Sequence, residues 1–178
     1  MKIVNVFDAV MEGNFEEFKK LYKGNVNEIN EFSKFNLLQT ALVESNNEKE
    51  RIKIIDFLIK NGIDVNYKDC KYQRNALHVV FFNFLRGDID YLESVVKLLV
   101  DAGVDINAVD KYAAIPLKYA ITICKLNTEA LKDIYSDMIK AGADYNLKDS
   151  FGKSCIDYAK EFSWRNDFIK IVEENEND

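Results

Sequence analysis

Apolar residues along this chain come in bursts with a helical beat. "RIKIIDFLIKNG" sets Ile52, Ile55, Leu58 and Ile59 on one face, and "YLESVVKLLVDAG" does likewise with Leu92, Val95, Val96 and Leu99. "EALKDIYSDMIKAG" uses Leu131, Ile134, Met138 and Ile139 in the same way. Each run halts at a glycine, the residue that most cheaply takes the left-handed conformation closing a helix. A polar turn follows each glycine, and beyond it lies another block: "NALHVVF" from Asn75, "IPLKYAI" from Ile115 and "SCIDYAK" from Ser154. A fourth copy, "NLLQTAL" from Asn36, precedes the first turn. The pattern predicts pairs of helices joined by punctuated turns.

The punctuation recurs. Gly62-Ile63-Asp64-Val65-Asn66, Gly103-Val104-Asp105-Ile106-Asn107 and Gly142-Ala143-Asp144-Tyr145-Asn146 share Gly-x-Asp-x-Asn, with glycines 41 and 39 residues apart. Leu38, Leu77, Leu117 and Ile156 stand at intervals of 39, 40 and 39, and Ala41, Val80, Ala120 and Ala159 keep the same intervals. Two landmarks holding one period indicate a repeat architecture. The Asp and Asn of each turn are expected to bond back to nearby backbone. Pro116 suits the first turn of the following helix, where its missing N–H costs nothing.

These residues resemble the ankyrin repeat, whose pattern is D-x-x-G-x-T-P-L-H-x-A-A, a second helix and G-A-D-x-N. Asp110 to Ala120 and Asp149 to Ala159 match it in part, Asn75 to His78 read N-A-L-H for T-P-L-H, and residues 7 to 22 resemble a unit without its opening finger, with Ala9, Gly13, Phe18 and Leu21 in place. The resemblance covers nearly the whole chain and implies an all-α ankyrin-repeat solenoid. It divides into a partial unit over 3–29, repeats over about 30–68, 69–109 and 110–148, and a capping unit over 149–174. The units run 39 to 41 residues against about 33 in ordinary ankyrin repeats. HEAT and armadillo units reach that length but resemble neither the Gly-x-Asp-x-Asn turn nor the "PLH/PLK" helix start. The extra residues lie in "ESNNEKE" from Glu44, "NFLRGDIDY" from Asn83 and "CKLNTEA" from Cys124, which predicts a longer first helix and a larger loop after it.

Composition narrows the function. Of the 178 residues 48% are apolar and 30% charged, with a formal charge of −6, as expected of a soluble globular protein whose charged partner would be basic rather than nucleic acid. The N-terminus is no signal peptide and no apolar run is long enough to span a bilayer. Cys70, Cys124 and Cys155 lack metal-ligand spacing and read as reduced thiols, so the expected address is the cytoplasm. His78 is the only histidine and stands at the motif position that bonds neighbouring turns. Asp64, Asp105 and Asp144 recur by period, which marks them as turn residues. The glycines never cluster as a phosphate loop would. Neither catalytic residues, nor a metal site, nor a cofactor is expected. The acidic tail from Glu173 reads as a solvated, fraying end.

What remains is surface. In ankyrin arrays the finger tips and the exposed side of the inner helices form a binding face, and the resemblance maps this onto Tyr72, Arg74, Phe82, Asn83, Lys111, Tyr112, Thr122, Ile123 and Phe151. Phe32 and Phe35 hold comparable places on the first finger. A turn needs no aromatic ring, so the rings either pack on the next finger or bind a partner. The expectation is a non-enzymatic module offering a partner about 800 Å2 of contact, monomeric by itself and paired with one protein. Long units and an Asn-, Lys- and Ile-rich composition also resemble ankyrin-type immunity proteins of bacterial polymorphic toxin systems, which implies a toxin domain as partner, a basic nuclease suiting the acidic balance. The alternatives are a generic adaptor or secreted effector, or an enzyme hidden in the inserted loops.

Overall fold

The computed structural model describes residues 2–84 and 87–176. Its helices are α1 (Val6–Met11), α2 (Phe15–Leu21), α3 (Leu37–Ala41), α4 (Glu48–Lys60), α5 (Ala76–Asn83), α6 (Ile89–Asp101), α7 (Pro116–Thr122), α8 (Lys132–Lys140), α9 (Cys155–Glu161) and α10 (Asp167–Glu176). A 3-10 turn, Ser163–Arg165, precedes α10. No strand occurs among the described residues; a single bridge joins Ile29 and Asn36. The fold is all-helical, as the hydrophobic pattern predicts. Odd-numbered helices touch in succession from α1 to α9, and even-numbered helices touch in succession from α2 to α10, so two rows run side by side.

Helix starts follow from side-chain capping. The oxygens of Asn36, Asn75 and Ser154 accept the backbone N–H three residues on, at the heads of α3, α5 and α9. At α7 Ile115 cannot do this, and Pro116 at the first position removes a donor that would otherwise lack a partner. The rows enclose one apolar core. Leu38, Leu77, Leu117, Ala41, Val80, Ala120 and Ala159 are buried in it, and Ile156 is half-buried.

Asn66, Asn107 and Asn27 do more than hold a turn. Asp64, Asp105 and Asp144 do bond back, each carboxylate accepting from the backbone two residues on. The asparagines instead reach forward to the next turn. Asn66 accepts the Asp105 N–H at 2.6 Å and donates to the Gly103 carbonyl at 3.2 Å. Asn107 repeats this with Asp144 at 2.8 Å and Gly142 at 2.7 Å, and Asn27 accepts the Asp64 N–H at 2.7 Å. The capping asparagines join in, Asn36 donating to the Asp64 carbonyl and Asn75 to that of Asp105. A primary amide offers a donor and an acceptor side by side, which is what bridging two turns requires.

Three expectations need correction. The first helix of each pair is not lengthened: α3, α5 and α7 have 5, 8 and 7 residues. The added residues form loops and the first turns of α4 and α6, which begin at Glu48 and Ile89; Leu85 and Arg86 of the second loop lie outside the described residues. On α4 the buried stripe is Arg51, Ile54, Ile55 and Leu58, whereas Ile52 and Ile59 are half-buried. The acidic end is solvated, with Glu173, Glu174 and Glu176 exposed, but it is helical rather than irregular. It belongs to α10, where Lys132 pairs with Glu174 at 3.1 Å and the Tyr145 hydroxyl donates to Glu176 at 2.5 Å; Asn177 and Asp178 lie outside the described residues.

Arg51 explains the rotated stripe. Its guanidinium is wholly buried and uses five N–H donations, to the carbonyls of Val10, Met11, Ala41 and Asn46 and to the Asn46 side chain. These oxygens close α1 and α3 and turn the loop after α3, where no helix partner remains for them. Arg165 does the same beyond α7, donating to Ile121 at 2.9 Å, Leu126 at 2.8 Å and Cys124 at 2.5 Å. Arg51→Met would leave those carbonyls buried without donors, an expected loss of about 3 kcal/mol. Asn107→Ala, at a more exposed site, is expected to cost about 1 kcal/mol. Urea denaturation of both variants measures the difference; equal costs would contradict the assignment.

Candidate functional site

Four short fingers stand between the helix pairs, each built on an acid or amide at its base. Asp69 accepts from the backbone of Lys71, Tyr72 and Arg74; Asp110 from Tyr112 and Ala114; Asp149 from Phe151 and Lys153. Asn30 does the same for Phe32 and Ser33. Each finger turns back through a left-handed residue, Lys34, Gln73, Ala113 or Gly152, the conformation that only glycine takes without strain. The last three fingers are tied edge to edge: the Lys111 N–H donates to the Tyr72 carbonyl at 2.9 Å, and that of Ser150 to the Tyr112 carbonyl at 2.8 Å. The first finger lacks this link, and Phe32 on it is 94% exposed.

The linked fingers and helices α5 and α7 surround a cleft of about 450 Å3. Tyr72, Tyr112 and Phe151 line it from the fingers, and Phe82, Lys118 and Tyr119 from the helices. Arg74 lies in its floor among aromatic rings, its guanidinium 3.9 Å from the Phe82 centroid and 4.9 Å from those of Tyr72 and Tyr119. It donates to the Tyr119 hydroxyl at 3.3 Å and lies 3.5 Å from the Asp110 carboxylate. Tyr119 in turn donates to Asp110 at 2.5 Å. Burial and then that bond push its pKa up to about 12, so it stays a neutral donor. Tyr158 repeats the arrangement with Asp149 at 2.7 Å.

Lys118 reaches the same space with its ammonium 4.6 Å from the Tyr119 centroid, 5.4 Å from that of Tyr158 and 3.9 Å from Asp149. Burial lowers its pKa against the pull of Asp149 and Asp110. Lys111 extends across the rings of Tyr72 and Tyr112 at 5.2 and 5.7 Å. Six of the nine residues expected on the binding face, Tyr72, Arg74, Phe82, Lys111, Tyr112 and Phe151, thus lie at one place. Asn83, Thr122 and Ile123 do not join them. Asn83 donates to the Val79 carbonyl and lines a crevice of about 50 Å3 near Val43; Thr122 bonds back to Lys118; Ile123 closes α7.

Lys118 and Tyr119 were not expected in the site, though both carry a signal. Lys118 follows Gln39 and His78 in the same register, and Tyr119 and Tyr158 each stand nine residues after a finger aspartate. A larger groove of about 710 Å3 runs between α6, α8 and α10, but its lining is charged and polar throughout. Burial and the neighbouring Asp133, Asp90 and Asp137 raise the pKa of Glu93 there. The groove has no ring to anchor a partner.

His78 is structural. Its Nε2–H donates to the Ala114 carbonyl at 2.9 Å, so it grips the next finger as Gln39 grips Arg74 at 2.7 Å. Nδ1 then accepts the Asn75 N–H at 3.3 Å. Burial pushes the ring's pKa down to about 4 against the pull of the Ala114 carbonyl and Asp110. Cys124 and Cys155 are buried, and burial raises both their pKa values, that of Cys155 to about 12.

No protein-family model matches the chain. It is similar to the E3 ubiquitin-protein ligase KEG of Arabidopsis thaliana, 24% identical over 139 residues. The match takes in 78% of this chain but only 7% of the ligase. No described helix is long and apolar enough to cross a membrane.

The His78 shift has a definite sign. A folded pKa of about 4 against 6.5 unfolded means that the unfolded chain binds the proton first, so stability is full above pH 6.5 and falls as pH drops towards 4. The wild type is expected to lose up to about 3 kcal/mol more than His78→Gln across that window. Parallel urea titrations at several pH values measure it; identical pH profiles would refute a buried neutral imidazole.

Proposed function

We infer that the chain is an ankyrin-type solenoid that binds another protein and carries out no chemistry of its own. The observation that carries this reading is convergence: fingers tied edge to edge bring rings from Tyr72 to Phe151 onto one cleft, open to solvent and backed by cations. Aromatic anchors beside charged groups are the composition of binding hot spots. The two helix rows, the forward-reaching asparagines and the glycine stops support the ankyrin assignment. Similarity to a short stretch of a ubiquitin-protein ligase supports a role in protein binding and brings no ligase activity to this chain. The inward-facing imidazole and the burial of Cys124 and Cys155 support a non-enzymatic role, and Cys70 is the exposed thiol.

The finer reading is a cytoplasmic immunity protein, monomeric until it pairs with a toxin domain, and it rests on the sequence resemblance. A generic adaptor or secreted effector is the alternative. Copurification with the product of the adjacent gene, and rescue of growth on co-expression, separates the two.

For the binding face itself, affinity capture supplies a partner, and titration calorimetry compares it against variants. Tyr112→Ala and Phe151→Ala are each expected to weaken binding by about 2 kcal/mol. Circular dichroism should stay unchanged, because Phe151 is 68% exposed and Tyr112 half-buried. Unaltered affinity in both variants would move the contact surface away from the cleft.

A further inference from the structure

The cleft has a local charge opposite to that of the whole molecule, and this sharpens the protein-binding reading, on which the following rests. The chain as a whole carries −6, yet Arg74, Lys111 and Lys118 meet at this one place. Two of these cations already face buried carboxylates, Arg74 with Asp110 and Lys118 with Asp149. With Lys71 also 4.9 Å from the Tyr72 centroid, the cleft keeps a net positive charge. We propose that its occupant is an extended segment of the partner protein that presents one carboxylate beside an aromatic or large aliphatic side chain.

Three features of the site select that chemistry. The Lys118 side chain is only 15% exposed, and its ammonium has ring faces and an ion pair at 3.9 Å but no hydrogen bond among the described residues. An incoming carboxylate supplies the acceptor that Asp149 holds too far away. Phe82 and Phe151, 39% and 68% exposed, and Tyr112 offer apolar area next to that charge. The space of about 450 Å3 suits a few extended residues; a helix with side chains, about 10–12 Å across, would have to lie over its mouth. A nucleic-acid strand is the competing occupant, since bases stack on rings. Strand binding also needs cations tracking a run of phosphates, and here Asp110 and Asp149 cancel two of the four around the rings. The basic partner expected from net charge alone is disfavoured at this cleft because the charge left uncancelled there is positive.

The test selects random linear peptides displayed on phage against the whole protein, with depletion against a Lys118→Glu, Phe151→Ser variant. The expected winners pair Asp or Glu with Phe, Tyr, Trp, Leu or Ile. A synthetic winner followed by fluorescence anisotropy should lose about tenfold in affinity on Lys118→Met and several-fold on the exposed Lys111→Gln. Its binding should weaken with added salt. Basic winners, winners indifferent to these substitutions, an absence of winners, or tighter binding of a labelled oligothymidylate in competition would each overturn the proposal. A captured protein that still requires Tyr112 and Phe151 would, in those cases, leave the broader binding reading standing. Loss of both would remove the reading itself.

Discussion

The structure turns on one repeated contact, an asparagine amide clasping the turn of the following helix pair. Asn66 and Asn107 each accept from an aspartate N–H and donate to a glycine carbonyl two residues before it, about one repeat further along the chain. A short side chain with a donor and an acceptor at fixed separation tolerates little slip, so the distance between successive turns is set. Once the turns are set, the fingers fall into register, and Lys111 and Ser150 can bond the fingers before them. Gln39 and His78 lock the same spacing from the helix side. The aromatic cleft results from this registration, because its rings come from three fingers and two helices.

Inserted loops pose a separate problem, which buried arginine solves. A helix end leaves carbonyls without partners, and a long loop adds more. Arg51 and Arg165 turn those oxygens inward onto a guanidinium, which stays charged under almost any condition and offers five donors in one plane. Burial lowers the Arg51 pKa without discharging it. The loops are thereby pinned to the helix ends, although their polar sequence resembles that of free segments.

Charge was informative at two scales, and they differ. The overall −6 follows from the side-chain count, but the surface where the rings gather is cationic. Net charge governs solubility and long-range encounter, whereas the occupant of a cleft is chosen within the Debye length, about 8 Å in physiological salt. Arg74 shows how far this is a matter of packing. It stands in an ordinary polar turn in the sequence, yet three aromatic rings and a carboxylate surround it.

Much of the architecture was legible in the residues themselves. The glycine stops, the Pro116 helix start, the buried Leu38, Leu77 and Leu117 and the all-helical class follow from local rules acting within a few residues. The finger aromatics were legible as well, since a ring in a turn calls for an explanation. Periodicity could not distinguish an asparagine that holds its own turn from one that holds the next, because both require the same residue at the same place. Nor could it show that Arg51 belongs to the apolar stripe of α4, because hydropathy places every arginine outside. Local backbone preference and hydrophobic spacing were written in the chain. The partners of Asn107, Arg51, Arg74 and Lys118 were decided by contacts between units, where hydrogen-bond geometry and desolvation act across distances in sequence that no local pattern encodes.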